Sequence, residues 1–188
     1  MKQGTIILIV ILAIIGIFVF SIFGSYNSLV SLDEEVNIQW ANVESKLQRR
    51  YDLIPNLVES VKGAMAQEQE VFTAIADARA KLAGAGSVSE RVDASNELEG
   101  ALSRLLVVVE NYPELKSNQN VTALMDELAG TENRISTERD RYNTVVGNYN
   151  AVIRKFPKNI LAGMFGFKER PYFKATEGAD VAPQVNFD

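Results

Sequence analysis

From Gly4 to Ser31 the chain carries no charged residue, and Ile6 to Phe23 is almost wholly Ile, Leu, Val and Phe. At about 1.5 Å rise per residue, roughly 20 such residues span a hydrocarbon core of about 30 Å. Only Met1, Lys2 and Gln3 precede the run, so residues 1–24 are expected to form a single N-terminal transmembrane anchor. A cleaved signal peptide is the competing reading. The apolar stretch exceeds the usual h-region, and Phe23-Gly24-Ser25 is a poor cleavage site, so an uncleaved anchor is favoured. No Cys follows the run, which excludes a lipobox.

The flanks suggest an orientation. Lys2 lies before the span, whereas Asp33, Glu34 and Glu35 are the first charges after it, and no basic residue appears until Lys46. The positive-inside rule places the N-terminus in the cytoplasm and the remaining chain outside.

About 160 residues remain beyond the span, enough for one domain with its own core. The formal net charge of −5 argues against general nucleic-acid binding. The chain contains neither His nor Cys. That excludes triads built on His, thiol nucleophiles, disulfides, and zinc or haem ligation through these residues. No Gly-rich phosphate loop or Walker pattern is present. No catalytic residue, metal or cofactor is expected, and the protein reads as non-enzymatic.

Helical periodicity runs through the domain. Leu29, Leu32, Val36, Trp40, Val43, Leu47 and Tyr51 recur at spacings of three and four. Pro55 either kinks this helix or opens a new one, and a turn is favoured. A kink would leave one helix of about 80 Å and a three-helix bundle. A second helix is expected from about 55 to 82, with Val58, Val61, Met65, Phe72, Ile75 and Leu82 as its stripe. Gly84-Ala85-Gly86-Ser87 is a loop, and Ser87-Val88-Ser89-Glu90 has the form of a capping box. The third helix carries Leu98, Leu102, Leu105, Val109 and Tyr112 and ends at Pro113. A long last helix runs from about 121 to 156 and stops at Pro157. The fold class is all-α: the anchor, then an antiparallel up-and-down four-helix bundle over residues 25–157 with long first and last helices.

Charged residues interrupt the apolar stripes. Glu132 and Arg139 sit in the row of the last helix, Glu68 in that of the second, and Arg79 at its edge. Such residues are almost never buried unpaired, so these four are expected to form a buried polar network that sets register. A ligand- or proton-sensing site is the alternative. Tyr26-Asn27, Tyr142-Asn143 and Tyr149-Asn150 form a second constellation, read as buried tyrosines with bonded hydroxyls and asparagines at the edge, or as a binding face. Arg49-Arg50 reads as an exposed, solvated face, with a phosphate patch as the alternative.

Residues 158–188 read as a basic, aromatic, membrane-proximal segment followed by an extended tail from Ala175 to Asp188. Phe165, Phe167, Lys168, Arg170, Tyr172 and Phe173 are its candidate contacts. They suit an anionic membrane interface, or packing on the bundle or on a neighbouring subunit.

Several stretches carry a resemblance. They include Trp40-Ala41-Asn42-Val43, the run from Leu47-Gln48-Arg49-Arg50-Tyr51 to Pro55-Asn56-Leu57-Val58, and Glu110-Asn111-Tyr112-Pro113-Glu114-Leu115-Lys116. Ala78-Arg79, Thr131-Glu132, Arg139 with Tyr142-Asn143, and Tyr149-Asn150 before Phe156-Pro157 complete the set. Over essentially its full length the chain resembles the bacterial LemA family. The resemblance implies a single-pass bacterial membrane protein with an antiparallel helical-bundle domain, and the bacterial inner membrane is its expected location. It implies no enzymatic activity and supplies no catalytic residues. A relative that acts in building magnetosome membranes favours a membrane-organising role. The expectation is a self-associating scaffold partnered by the lipid bilayer and by its own copies. An adaptor or sensor serving an envelope protein is the alternative.

Overall fold

A computed structural model describes residues 3–174. Lys2, which carries the orientation argument, and the tail expected over Ala175–Asp188 lie outside the described residues. Among the described residues the fold is all-helical: α1 Gln3–Lys62, α2 Gln69–Gly84, α3 Val88–Glu110, α4 Pro113–Lys116, α5 Gln119–Arg154 and α6 Lys158–Phe165.

The apolar run is the first part of α1. It is long and apolar enough to cross a membrane, with a mean hydropathy of 2.8 and none of the described residues of its most apolar stretch buried. Residues such as Leu12, Ile17, Phe20 and Phe23 are all exposed. This is far more contiguous apolar surface than a protein surrounded by water normally shows.

The favoured turn at Pro55 does not occur, for Pro55 lies inside α1. A mid-helix proline costs about 3 kcal/mol through a lost hydrogen bond and a steric clash. Ile54, Leu57 and Val61 flank it on one face and are all buried. At roughly 1.5–3 kcal/mol for each large apolar side chain, their burial outweighs the proline. The chain breaks instead after Lys62, where the Val61 carbonyl accepts from the amides of Ala64 and Met65 and the Met65 side chain is buried.

The chain divides into two compact units. Within the described residues, one takes the chain through Ala41 together with Arg141–Tyr172, and the other takes Asn42–Asp140 with Phe173 and Lys174. The first unit buries Leu29, Val36, Tyr142, Val146, Tyr149, Ile153, Leu161 and Ala162. Phe156, expected at the end of the long last helix, lies beyond it and is exposed, because α5 ends at Arg154. Helix α6, within the segment read as membrane-proximal, has no counterpart in the sequence reading.

In the second unit α2 and α3 are joined by three residues and fold back on each other. Lys81 pairs with Glu97 near the loop, and the Tyr112 hydroxyl donates to Glu68 beyond the far ends. Their apolar faces meet through Ile75, Leu98, Leu102, Leu105 and Val109. Asn118 starts α5, its Oδ1 accepting from the amides of Asn120 and Val121.

The capping box of α3 is present. The Glu90 amide donates to Ser87 Oγ at 3.2 Å, and Glu90 Oε2 accepts from the Ser87 and Gly86 amides at 2.9 and 2.8 Å. These backbone donors hold the Glu90 carboxyl below its ordinary value. A depressed folded-state value means the cap contributes above the unfolded carboxyl's range and loses its contribution as pH falls through the folded value. Ser87→Ala is expected to lower stability by about 1 kcal/mol at neutral pH in thermal unfolding. For Glu90→Ala, which removes the carboxylate held by the Gly86 and Ser87 amides, the gap between variant and parent should narrow in acid. An equal gap at both pH values would refute the pairing.

Candidate functional site

In the second unit the sequence continues the row of α1 straight through Pro55: Val43, Leu47, Arg50, Ile54, Leu57, Val61. Spacings of three and four turn Arg50 inward with its apolar neighbours. The exposed face expected of Arg49-Arg50 is corrected here. Arg49 is exposed and pairs with Glu127, whereas Arg50 has 0% exposure.

A buried guanidinium needs charge and acceptors. Arg50 Nη1 donates to Glu132 Oε2 at 2.8 Å, and Nη2 donates to Ser95 Oγ at 2.6 Å and to the Ser95 carbonyl at 3.1 Å. Arg139 extends the cluster. Its Nη1 donates to Glu99 Oε2 at 2.9 Å and its Nη2 to Ser95 Oγ at 3.2 Å. Glu99 also stands 4.0 Å from Arg50. Glu132 and Arg139 lie two turns apart on α5, and Ser95 and Glu99 one turn apart on α3. Two cations and two anions therefore clasp α1, α3 and α5 with no net charge. Burial pushes the Arg50 guanidinium below its ordinary value, and the charge and hydrogen bond of Glu132 oppose that. Arginine stays protonated in proteins, so the cluster acts as a fixed charge pair. The Phe173 ring lies 4.2 Å from the Arg139 guanidinium, a cation–π contact.

Of the four residues assigned to one network, Glu132 and Arg139 meet in this cluster. Glu68 instead accepts from Tyr112 at 3.2 Å, and Arg79 stacks 4.3 Å over the Tyr51 ring. Arg50, Ser95 and Glu99 are members that the sequence reading missed. The row through Pro55 was the available signal for Arg50. Ser95 and Glu99 offered none.

In the first unit the Tyr-Asn pairs do specific work. Asn150, buried rather than at an edge, donates from Nδ2 to the Arg170 carbonyl and accepts from the Arg170 amide, both at 2.9 Å. The Tyr149 hydroxyl donates to the Lys168 carbonyl and that of Tyr142 to the Pro171 carbonyl, both at 3.0 Å. Burial raises both phenols above their ordinary value. Three side chains of α5 thus hold the main chain of residues 168–171. The Arg170 side chain reaches α1, donating to Asp33 Oδ1 at 2.7 and 3.1 Å and to Asn37 at 3.3 Å. Burial alone would lower Arg170, but the hydrogen bonds and charge of Asp33 overcome this and its net shift is upward.

The six candidate contact residues therefore separate. Phe173 is buried beneath Arg139, and Arg170 is paired. Phe165 and Phe167 approach the Tyr26 ring with centroids at 4.7 and 6.1 Å. Lys168 and Tyr172 keep exposed side chains. Among the described residues no group of three or more acidic residues is placed to hold a metal ion.

Comparison with known proteins agrees with the sequence resemblance. Magnetosome protein MamQ 2 of Paramagnetospirillum magneticum is 28% identical over 97% of this chain and 79% of its own length. Magnetosome protein MamQ of Magnetospirillum gryphiswaldense is 27% identical over 98% and 79%. Protein LemA of Metamycoplasma hominis is 25% identical over 87% and 75%. A family model described as LemA family matches residues 39–187, a span that takes in every residue of the arginine clasp and of the segment held by α5. On that match, the chain belongs to the LemA family.

Proposed function

We propose that this protein is a membrane-anchored, non-enzymatic scaffold that self-associates through its helices and organises the bacterial inner membrane. One observation carries the reading: an apolar segment with none of its described residues buried continues, in one helix, into a folded all-helical domain. A bilayer is the environment that compensates such exposure. The anchor crosses once, with its N-terminus cytoplasmic and the domain outside. The second unit is an antiparallel bundle of α1, α2, α3 and α5, a reading supported by the short connections between these helices. The arginine clasp gives the bundle a stiff core suited to presenting helix faces for assembly. Similarity to proteins named for the magnetosome supports a role at membranes.

The test is single-particle imaging of the full-length chain in detergent beside a form lacking residues 1–24. A large ordered assembly seen only with the anchor is the expected result. Small uniform particles in both samples would overturn the scaffold and favour an adaptor whose assembly awaits an envelope partner.

A further inference from the structure

Helix α6 is only eight residues long, and it buries Leu161 and Ala162. Its other face is apolar and uncovered. Phe156 just before it is 81% exposed, Ile160 55%, Met164 72% and Phe165 51%. Ile160 and Met164 lie one turn apart on the same face. The flanks carry Lys155 and Lys168 with exposed side chains, while Arg154 stands 3.7 Å from Glu169 and donates to the Asn150 carbonyl.

The position of α6 along α1 is fixed at both ends. Lys158 Nζ donates to Ser28 Oγ at 2.9 Å, and Phe165 packs on Tyr26. Tyr26 and Ser28 are three and five residues beyond Phe23, where the apolar run closes. At about 1.5 Å per residue, α6 crosses α1 roughly 4 to 8 Å beyond that point. A bilayer of about 40–45 Å with a core of about 30 Å has headgroup layers of about 5 to 8 Å. The two distances coincide. Aromatic rings and basic side chains at that depth match the composition of membrane interfaces.

We propose that α6 lies in the headgroup layer of the leaflet where the anchor emerges, with Phe156, Ile160, Met164 and Phe165 pressed toward the acyl chains. Lys155 and Lys168 meet anionic headgroups. This inference rests on the membrane-anchor reading above. It moves the lipid contact from Phe167, Arg170 and Phe173, which are occupied within the fold, to the face that is free. The occupant is lipid rather than a second copy for two reasons. The patch adjoins the apolar run of α1, and its basic flanks complement an anionic surface better than a chain of net charge −5.

The chain has no cysteine, so one introduced thiol labels a single site. Met164→Cys, Ile160→Cys, Ile17→Cys and Val107→Cys would each carry a nitroxide in the full-length protein. Each would be reconstituted in vesicles of phosphatidylcholine and phosphatidylglycerol. Collision with oxygen, which partitions into lipid, is compared with collision with a water-soluble nickel chelate. The expected result is that oxygen dominates at residues 17, 160 and 164 by several-fold, while the chelate dominates at residue 107. Labels at 160 and 164 that behave like 107, with 17 still in lipid, would overturn the inference and leave the anchor standing. An aqueous label at 17 would overturn both. Label–label broadening at 164 that vanishes on dilution with unlabelled protein, together with loss of oxygen collision there, would assign the face to a second copy, and would also overturn the inference.

Discussion

Replacing Glu132 with Leu is expected to destabilise the second unit by about 4 kcal/mol, because it strands the charge of Arg50 in the interior. Arg50 has 0% exposure, so water cannot take over the lost role. Ser95 would still accept from it, but a neutral hydroxyl and a carbonyl do not balance a guanidinium, and Glu99 is 4.0 Å away. The reverse change, Arg50→Met, is expected to cost less, about 3 kcal/mol. Glu132 keeps 33% side-chain exposure, so solvent partly screens the carboxylate left behind. Removing both partners should cost less than the two single changes together, since neither charge is then stranded. Denaturant unfolding of the full-length variants, closed as a double-mutant cycle, measures this. Single variants that each cost less than about 1 kcal/mol, with no coupling between them, would show that the clasp contributes nothing to the fold.

The Asn150→Leu variant should release residues 168–171 from α5. The amide side chain matches both the donor and the acceptor of Arg170, and leucine matches neither. A backbone group left without a partner costs about 1–3 kcal/mol when buried, so for the two part-buried groups of Arg170 at most about 2 to 6 kcal/mol is at stake locally. Asn150→Asp keeps the acceptor and loses the donor, so its effect should be intermediate. Hydrogen exchange at the Arg170 amide is the readout, because that proton is held directly by Asn150 Oδ1. Exchange should accelerate by one or more orders of magnitude in the leucine variant, while core amides of α3 stay protected. Unchanged protection at Arg170 would mean that Tyr149, Tyr142 and the Asp33 pair hold the segment without Asn150. Tyr149→Phe, which removes one hydroxyl donor, should give a smaller effect of about 1 kcal/mol.

These two sites show what kinds of information the chain carries openly. The apolar run of residues 4–31 needs no partner to be interpreted, since its length and lack of charge alone limit it to a few environments. The Ser87–Glu90 cap is equally local, because its donors and acceptors lie within four residues. The interior placement of Tyr142 and Tyr149 follows from spacing along one helix. Glu132 and Arg139 stand out for the same reason, as charges in an apolar row. Arg50 was hidden by the turn favoured at Pro55. With the helix unbroken, Arg50 takes its place in the row between Leu47 and Ile54.

The sequence by itself determined the all-helical class, the apolar N-terminal segment, the cap of α3 and the inward placement of Tyr142 and Tyr149 on α5. Periodicity and capping are properties of one stretch of chain, so they can be read one stretch at a time. The tertiary structure alone decided that Arg50 meets Glu132 and Ser95, that Arg170 meets Asp33, and that Phe173 is covered by Arg139. It also decided that α1 continues through Pro55 and that α6 forms against Tyr26 and Ser28. Each of these depends on which buried face confronts which. A helical stripe shows that a side chain must be buried, but only packing supplies the distant partner that neutralises its charge or the buried contacts that offset a mid-helix proline.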